Sequence, residues 1–336
     1  MLRTGSRKAT IESVAAHAGV SRQTVSNVLN APQRVSPQTA ERVRRAIAEL
    51  GYRPNWVARR LRSRSSRVLG FRIEAGIQAG ARLGLGNLID RFLHAVTSHA
   101  ESAGYHLLLF TQTDNEPAIY EELVATGTVD GFVLCDVRPD DGRLQWLVER
   151  GVPFACFGRP WGQELTCAWV DVDGALGTEQ AVDHLVQRGH GRIAYLGWPP
   201  GTGYGDDRAQ GWQRAMRRHG LDTAGLRGQT EDDVDVAAAA AGQLLAVADP
   251  PTAFVCASDT LAVGVRMVMR CGSAVDVIGF DDSPVASLLL PPLSSVRQPL
   301  EDVARAIVRL LVEQLDRNTQ SAEGVLLPPQ LVVRDG

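Results

Sequence analysis

Over the first fifty residues apolar side chains recur at spacings of three and four. From about residue 68 they gather instead into short runs separated by amphipathic stretches. The first pattern is helical, and the second is strand alternating with helix. In "VSRQTVSNVLN", residues 20–30, Val25, Val28 and Leu29 share one helical face, and Arg22, Gln23, Ser26 and Asn27 share the other. Thr10 is placed to cap a preceding helix, Ile11 to about Ala18, with Glu12 in the first turn where the helix dipole favours an acid. Gly19 can take the left-handed conformation that ends this helix, and Ser21 caps the next, which leaves only a tight turn between them. Ala15 is small where the two helices would cross. A third helix is predicted in "SPQTAERVRRAIAELGY", with Ser36 as cap, Pro37 at its first position, Gly51 at its end and Val43, Ile47 and Leu50 facing inward. Two helices joined this tightly and braced by a third form the helix-turn-helix layout, in which the second helix enters the DNA major groove.

Beyond residue 68 the apolar runs "VLGFRI", "YHLLLF", "GFVLCD", "PFACFG", "RIAYLG", "TAFVCAS" and "VDVIGF" read as strands. Asp90–Ala103, Leu144–Arg150, Ala175–Arg188 and Thr260–Arg270 read as helices between them. This alternation predicts an α/β fold with parallel sheets covered by helices on both faces. So many strands exceed one comfortable core, so two lobes are expected. Ligands of such folds bind beyond the carboxyl ends of the strands. Arg159, Tyr204, Arg208, Ser258, Asp259 and Asp281 fall at those ends. Arginine and aspartate together suit a polyhydroxylated ligand, because charged groups make the stronger hydrogen bonds to hydroxyls.

Charge sharpens this division. The 336-residue chain has a formal charge of −3, yet residues 1–67 hold fourteen basic side chains against three acids, a charge of +11. The remainder holds 21 basic and 35 acidic side chains, a charge of −14. A small basic part on an acidic body points to a polyanionic partner for the first part alone. Every basic residue but Lys8 is arginine, in both parts, so the preference for arginine carries no functional weight. Five scattered cysteines (Cys135, Cys156, Cys167, Cys256 and Cys271), without C-x-x-C spacing and mostly within apolar runs, read as buried reduced thiols. The chain shows no signal-peptide pattern and no apolar run near the ~20 residues of a membrane span, so a soluble, unexported protein is expected.

The segments "VAAHAGVSRQTVSNVLN", "RVSPQT", "AIAELGYRPN" and "VARRLR", in this order and spacing, resemble the lactose-repressor (LacI) family of bacterial transcription regulators. "DGFVLCD", "GVPFACFGR", "WVDVDG", "HLVQRGHGRIAYLG", "DDRAQGW", "ASDTLAVG", "VIGFDDSP" and "LSSVRQP" resemble the family's periplasmic-binding-protein-like sensor domain. The resemblance implies a headpiece at 1–53, a hinge helix and linker at 54–67, and an effector-binding and dimerisation domain at 68–336. The first lobe of that domain would comprise about 68–160 and 296–323, and the second about 161–295 and 324–336. The helix from Leu300 to about Leu315 would return to the first lobe and "GVLLPPQLVV" to the second. Carried over residue by residue, base contacts fall on Arg22, Gln23 and Asn27, whose side chains suit guanine and adenine edges. Phosphate contacts fall on Ser21, Thr24 and Asn30. In the hinge, Leu61 would wedge between base steps of the minor groove, beside Asn55, Ala58 and Arg59. A flexible basic linker is the other reading of that segment.

Effector contacts are expected at Asp90, Arg159, Tyr204, Arg208, Ser258 and Asp281. Asp259 and Asp173 are expected to cap helices. Two departures stand out: "GLGNLIDRF" replaces the family's usual opening of the first effector-side helix, and the glycine-rich loop at 74–86 is long. Arg159 with Trp161 could bond and stack on a sugar ring or simply pack between lobes.

The expected function is a sugar-responsive repressor that binds a palindromic double-stranded DNA operator as a homodimer and is released by an effector held between the lobes. No cofactor or metal is expected, no membrane partner, and a cytoplasmic location, nucleoid-associated when operator-bound. Activation or corepression within the same family stays open. An enzyme is disfavoured, because no G-x-S-x-G, Walker, H-E-x-x-H or G-x-G-x-x-G motif occurs in the right setting. A transport binding protein would share the body but not the basic headpiece.

Overall fold

Each of the first three helices begins on a hydroxyl side chain. In the computed structural model, which describes residues 9–52, 65–74, 88–112, 117–162, 164–269 and 275–334, these are α1 (Ile11–Ala18), α2 (Arg22–Asn30) and α3 (Pro37–Leu50). Thr10 and Ser13 form a reciprocal capping box, and Ser21 and Ser36 accept the backbone N–H groups of Thr24 and Thr39. Gly19 and Gly51 end α1 and α3 at φ of 61° and 59°, a conformation costly for any side chain with a Cβ. Val14, Val25 and Val43 meet at the centre with no exposed surface. Ser26, assigned to the polar face of α2 by its spacing, is instead buried. The three helices cover α2 on more than the narrow valine stripe, and a serine is small enough to be enclosed.

The chain divides into two units, Met1–Ser65 and Ser66–Gly336. In the larger unit the first sheet is built from β1 (Val68–Glu74), β2 (His106–Gln112), β3 (Gly131–Leu134), β4 (Phe154–Phe157) and β5 (Ala168–Val172). Helices α4 (Leu88–Ser102), α5 (Ala118–Ala125) and α6 (Gly142–Glu149) cover it. The second lobe runs through α7 (Gly174–Gln187), β6 (Ile193–Gly197), α8 (Tyr204–Arg218), β7 (Arg227–Gln229) and α9 (Val234–Leu245). It continues with β8 (Ala253–Cys256), α10 (Asp259–Val268), β9 (Asp276–Phe280), α11 (Pro284–Leu288) and β10 (Ser294–Arg297). Then α12 (Leu300–Arg317) returns to the first lobe, where Val303, Ile307 and Leu311 are fully buried. Two short strands close the chain, β11 (Gly324–Leu327) and β12 (Gln330–Val332).

The strand orders are β11-β5-β4-β3-β1-β2 and β12-β10-β9-β8-β6-β7. All neighbours are parallel except β12 with β10. Every residue of β3, β6 and β8 is buried, as a sheet covered on both faces requires.

Two expected lobe boundaries are corrected. The first lobe runs past 160 to include β5, and the chain enters the second sheet only after Asp173. Among the described residues no helix separates β4 from β5, so the alternation that marks the other strands is missing there. The segment "GVLLPPQLVV" is shared between lobes: β11 pairs with β5, Pro328–Pro329 interrupts, and β12 pairs with β10. Proline cannot donate to a ladder, so a strand must stop there.

Candidate DNA-reading face and inter-lobe site

Arg22 and Gln23 are exposed on α2, with Asn27 half-buried one turn further on. Gln23 Nε2 donates to Asn27 Oδ1 at 3.0 Å, so the two amides present one continuous set of donors and acceptors. Arg22 leans on Glu12 of α1, N to O 3.1 Å. Both partners are more than half exposed, so this pair is weak and yields readily to a stronger anion. The hydroxyls of Ser21 and Thr24 lie 2.9 Å apart at the amino end of α2, where backbone N–H groups and the helix dipole favour phosphate. The side chain of Asn30 and the hinge positions Asn55, Ala58, Arg59 and Leu61 lie outside the described residues, as does most of the loop at 74–86.

At the carboxyl ends of the second-lobe strands lies a buried charged group. Asp281 follows β9, and its Oδ1 accepts from Gln298 Nε2 at 2.7 Å and faces Arg208 Nη2 at 3.8 Å. Arg208, one turn into α8, donates to the carbonyl of Ala257 at 2.5 Å and lies over the ring of Phe280 at 3.7 Å. The position of α8 depends on Gly211, where a Cβ would sit 2.2 Å from the carbonyl oxygen of Ala175 in α7. Burial is the main reason the Asp281 carboxyl is pushed up to about 7. The charges of Asp259 and Asp232 act in the same direction, and Arg208 and the Gln298 bond offset part of the rise.

Asp281 and Asp282 have φ of 101° and 46°, two successive non-glycine residues in left-handed backbone. Such a turn persists only where its surroundings over-determine it. Here they do. The N–H groups of Asp281, Asp282 and Ser283 donate to the Val296 carbonyl, Ser295 Oγ and Asp259 Oδ2. The Asp282 carboxylate accepts from Arg297 and Arg334, each at 2.6 Å. From the first lobe, Arg91 Nη1 donates to the carbonyls of Asp281 and Asp282 at 3.2 and 3.0 Å.

Ser258 caps α10 by accepting from Leu261 N–H, and its hydroxyl donates to Asp232 Oδ1 at 2.5 Å. Burial holds the Asp232 carboxyl above the usual range, against bonds from Ser258 and Trp198. Asp259 does not cap α10. Its carboxylate binds Ser283 N–H and Ser295 Oγ, and burial pushes it up to about 6. Asp173 does cap α7 through Leu176 N–H. Tyr204 opens α8 with its ring edge-on to Trp198, centroids 5.3 Å apart. Burial raises its phenol, and the charges of Asp136 and Arg138 beyond β3 reach it from the first lobe.

Arg159 is drawn into the seam between lobes. It donates to Asp171 of β5 at 2.8 Å and pairs with Asp207 of α8 at 2.9 Å, its guanidinium lying over Trp161. Trp161 in turn fills the space where a Cβ on Gly203 would fall, 2.4 Å away. Asp90 is exposed, and its neighbour Arg91 makes the inter-lobe bonds. The structure therefore brings together Tyr204, Arg208, Ser258 and Asp281 and adds Trp198, Asp232, Gln298 and Arg91. Trp198 directly follows the strand "RIAYLG", so its position alone could have nominated it. Asp232 stands in the run "EDDVD", where nothing separates it from a solvated acid.

Three short helices exposing amide and guanidinium groups, and a two-lobed α/β body with a polar site between its lobes, define a DNA-binding regulator with a ligand-sensing domain. Residues 10–55 match the profile of the bacterial regulatory proteins of the lacI family, and residues 182–336 that of a periplasmic binding protein-like domain. The chain is 34% identical to the HTH-type transcriptional regulator CelR of Thermobifida fusca, over 98% of each chain. It is 30% identical to the HTH-type transcriptional repressor PurR of Vibrio vulnificus (strain CMCP6), over 97% of this chain and 98% of that one. Among solved structures it resembles a transcriptional regulator CelR–cellobiose complex (33% identity, TM-score 0.72, covering 97% and 99%). It also resembles the lac repressor dimer bound to operator and the anti-inducer ONPF (26% identity, TM-score 0.77, covering 98% of each). The chain belongs to the LacI family of bacterial transcriptional regulators and is not an enzyme.

Proposed function

We propose that this protein is a sugar-responsive repressor. Two copies bind a near-palindromic duplex operator through Arg22, Gln23 and Asn27, and an effector seated between the lobes releases them. The observation that carries the reading is the acid-free face of α2, with Gln23 and Asn27 already joined by a hydrogen bond. Bidentate amide and guanidinium groups are what adenine and guanine edges accept in the major groove. Ser21, Thr24 and Asn30 would hold phosphates, and Asn55, Ala58, Arg59 and Leu61 would occupy the minor groove. The dimer gives the operator its symmetry.

The effector site is assigned to Tyr204, Arg208, Ser258 and Asp281, with Trp198 as an added apolar wall and Asp90 at its rim. Asp232 and Asp281 set two carboxylates against Arg208, whose guanidinium already serves Ala257 and Asp281. Such a site favours neutral hydroxyls over phosphates and carboxylates. One relative is named for a complex with cellobiose, which makes neutral saccharides the first compounds to try. Arg159 is assigned to joining the lobes rather than to the sugar. A cytoplasmic location, nucleoid-associated when operator-bound, follows from the reading.

Selecting the full-length protein against randomised duplexes should enrich one palindromic sequence. Asn27→Ala should lower affinity for it by roughly 5- to 150-fold, about 1–3 kcal/mol, with little change on random DNA. Cellobiose or another neutral saccharide should then weaken the selected complex. Enrichment of no sequence, with and without saccharides, would overturn the reading.

A further inference from the structure

The turn at Asp281 and Asp282 takes its donors' partners from the second lobe but gives its two carbonyls to the first. Consecutive left-handed residues aim these carbonyls at one point, and Arg91 Nη1 sits there, 3.2 and 3.0 Å away. The bond is charge-assisted and partly buried, the stronger kind of hydrogen bond. The same Asp281 is tied by its carboxylate to Gln298, at the point where the chain crosses back to α12. Asp281 is thus held by backbone from one lobe and by side chain at the connection to it.

The geometry assigns Arg91 the role of a positioning residue: it is the first lobe's hold on the effector-contacting turn, so that lobe arrangement and the posture of Asp281 form one equilibrium. This inference rests on the reading of Asp281 as an effector contact. An effector that engages the Asp281 carboxylate would act on the same turn that Arg91 grips, and its differential affinity for the two arrangements then becomes a change in lobe angle. Without Arg91 the carbonyls lose the first-lobe donor they have among the described residues, and the arrangement seen here loses stability relative to any more open one. Asp90 and Arg91 are adjacent in "LIDRF", and of the pair it is Arg91 that carries the coupling.

The test uses the full chain with nitroxides at Glu122→Cys on α5 and Arg217→Cys on α8, both exposed, in a Cys271→Ser background. Arg91→Met keeps the stem and removes the charge, and Arg91→Lys restores a cation. The spin–spin distance distribution should be narrow in the wild type, broader and longer in Arg91→Met, and recovered in part by Arg91→Lys. With cellobiose as probe, the half-maximal concentration for operator release should shift by about three- to tenfold in Arg91→Met. Effector-free operator affinity should shift with it, while the melting temperature stays close to wild type. A distance distribution unchanged in Arg91→Met overturns the assignment. If no saccharide alters operator binding by the wild type, the sugar-release reading fails, and the distance distribution alone still decides the role of Arg91.

Discussion

Asp281 shows how much one residue can be asked to hold. It is buried, adopts backbone that side chains disfavour, and feels the charges of two other carboxylates, Asp259 and Asp232, as well as that of the Arg208 guanidinium. With the Asp281 carboxyl at about 7 and that of Asp259 at about 6, both lie above their unfolded value near 4. Between those limits the folded state binds more protons than the unfolded chain, so stability falls as pH rises. The effector-free protein should therefore melt at progressively lower temperature from pH 5 to pH 7.5 and then level off. Asp281→Asn should flatten that slope, leaving the part due to Asp259 and to the carboxyls of Asp232 and Asp171, which burial also raises. A slope identical in wild type and Asp281→Asn would contradict the assignment. At this scale the sequence nominated Asp281, Arg208, Ser258 and Tyr204 because each follows an apolar run. It could not nominate Arg91, which lies 190 residues from its acceptor at Asp281 and looks like any surface arginine on an amphipathic helix. Nor could it separate Asp232 from the acids beside it.

The helices of the N-terminal unit are short, so their ends matter more than their middles. Ser21 both accepts the Thr24 N–H and fixes where α2 starts, hence which side chains form its exposed face. Ser21→Ala should cost about 1 kcal/mol of stability, and Ser21→Asn, another good cap, should restore most of it. Chemical denaturation of the full chain, followed by a probe in this unit, checks both. In the sensor the equivalent control lies in α7 and α8, whose close approach at Gly211 places Arg208 under Asp281. Most elements were legible from local pattern, because helices of period near four and fully apolar strands leave strong traces. The strands that were missed are those whose partners carry the information. β5 includes the buried Asp171, β7 is three residues long, β10 has the largely polar sequence SSVR, and β11 and β12 are separated only by two prolines.

At the scale of the whole chain, two lobes share one seam, and Arg159 is its clearest side-chain contact, bonded to an acid from each side. Asp171 is nearly enclosed, so removing Arg159 would strand a buried charge. Arg159 is partly exposed, so Arg159→Ala should destabilise the protein by about 3 kcal/mol, the low end for a broken buried pair, and adding Asp171→Asn should recover part of that loss. Thermal melts of the single and double variants would show it, and additive losses would place Arg159 outside this pair. The sequence by itself determined the basic N-terminal unit, its capped helices, the side chains on its exposed face apart from Ser26, and the α/β character of the body. Each of these is written in neighbours a few residues apart, where propensity, capping and periodicity act. Only the tertiary structure decided which strands join which lobe, that Arg159 bridges acids from both, and that Arg91 grips the turn of Asp281. Those facts depend on residues tens to hundreds of positions apart, brought together by packing that no local pattern encodes.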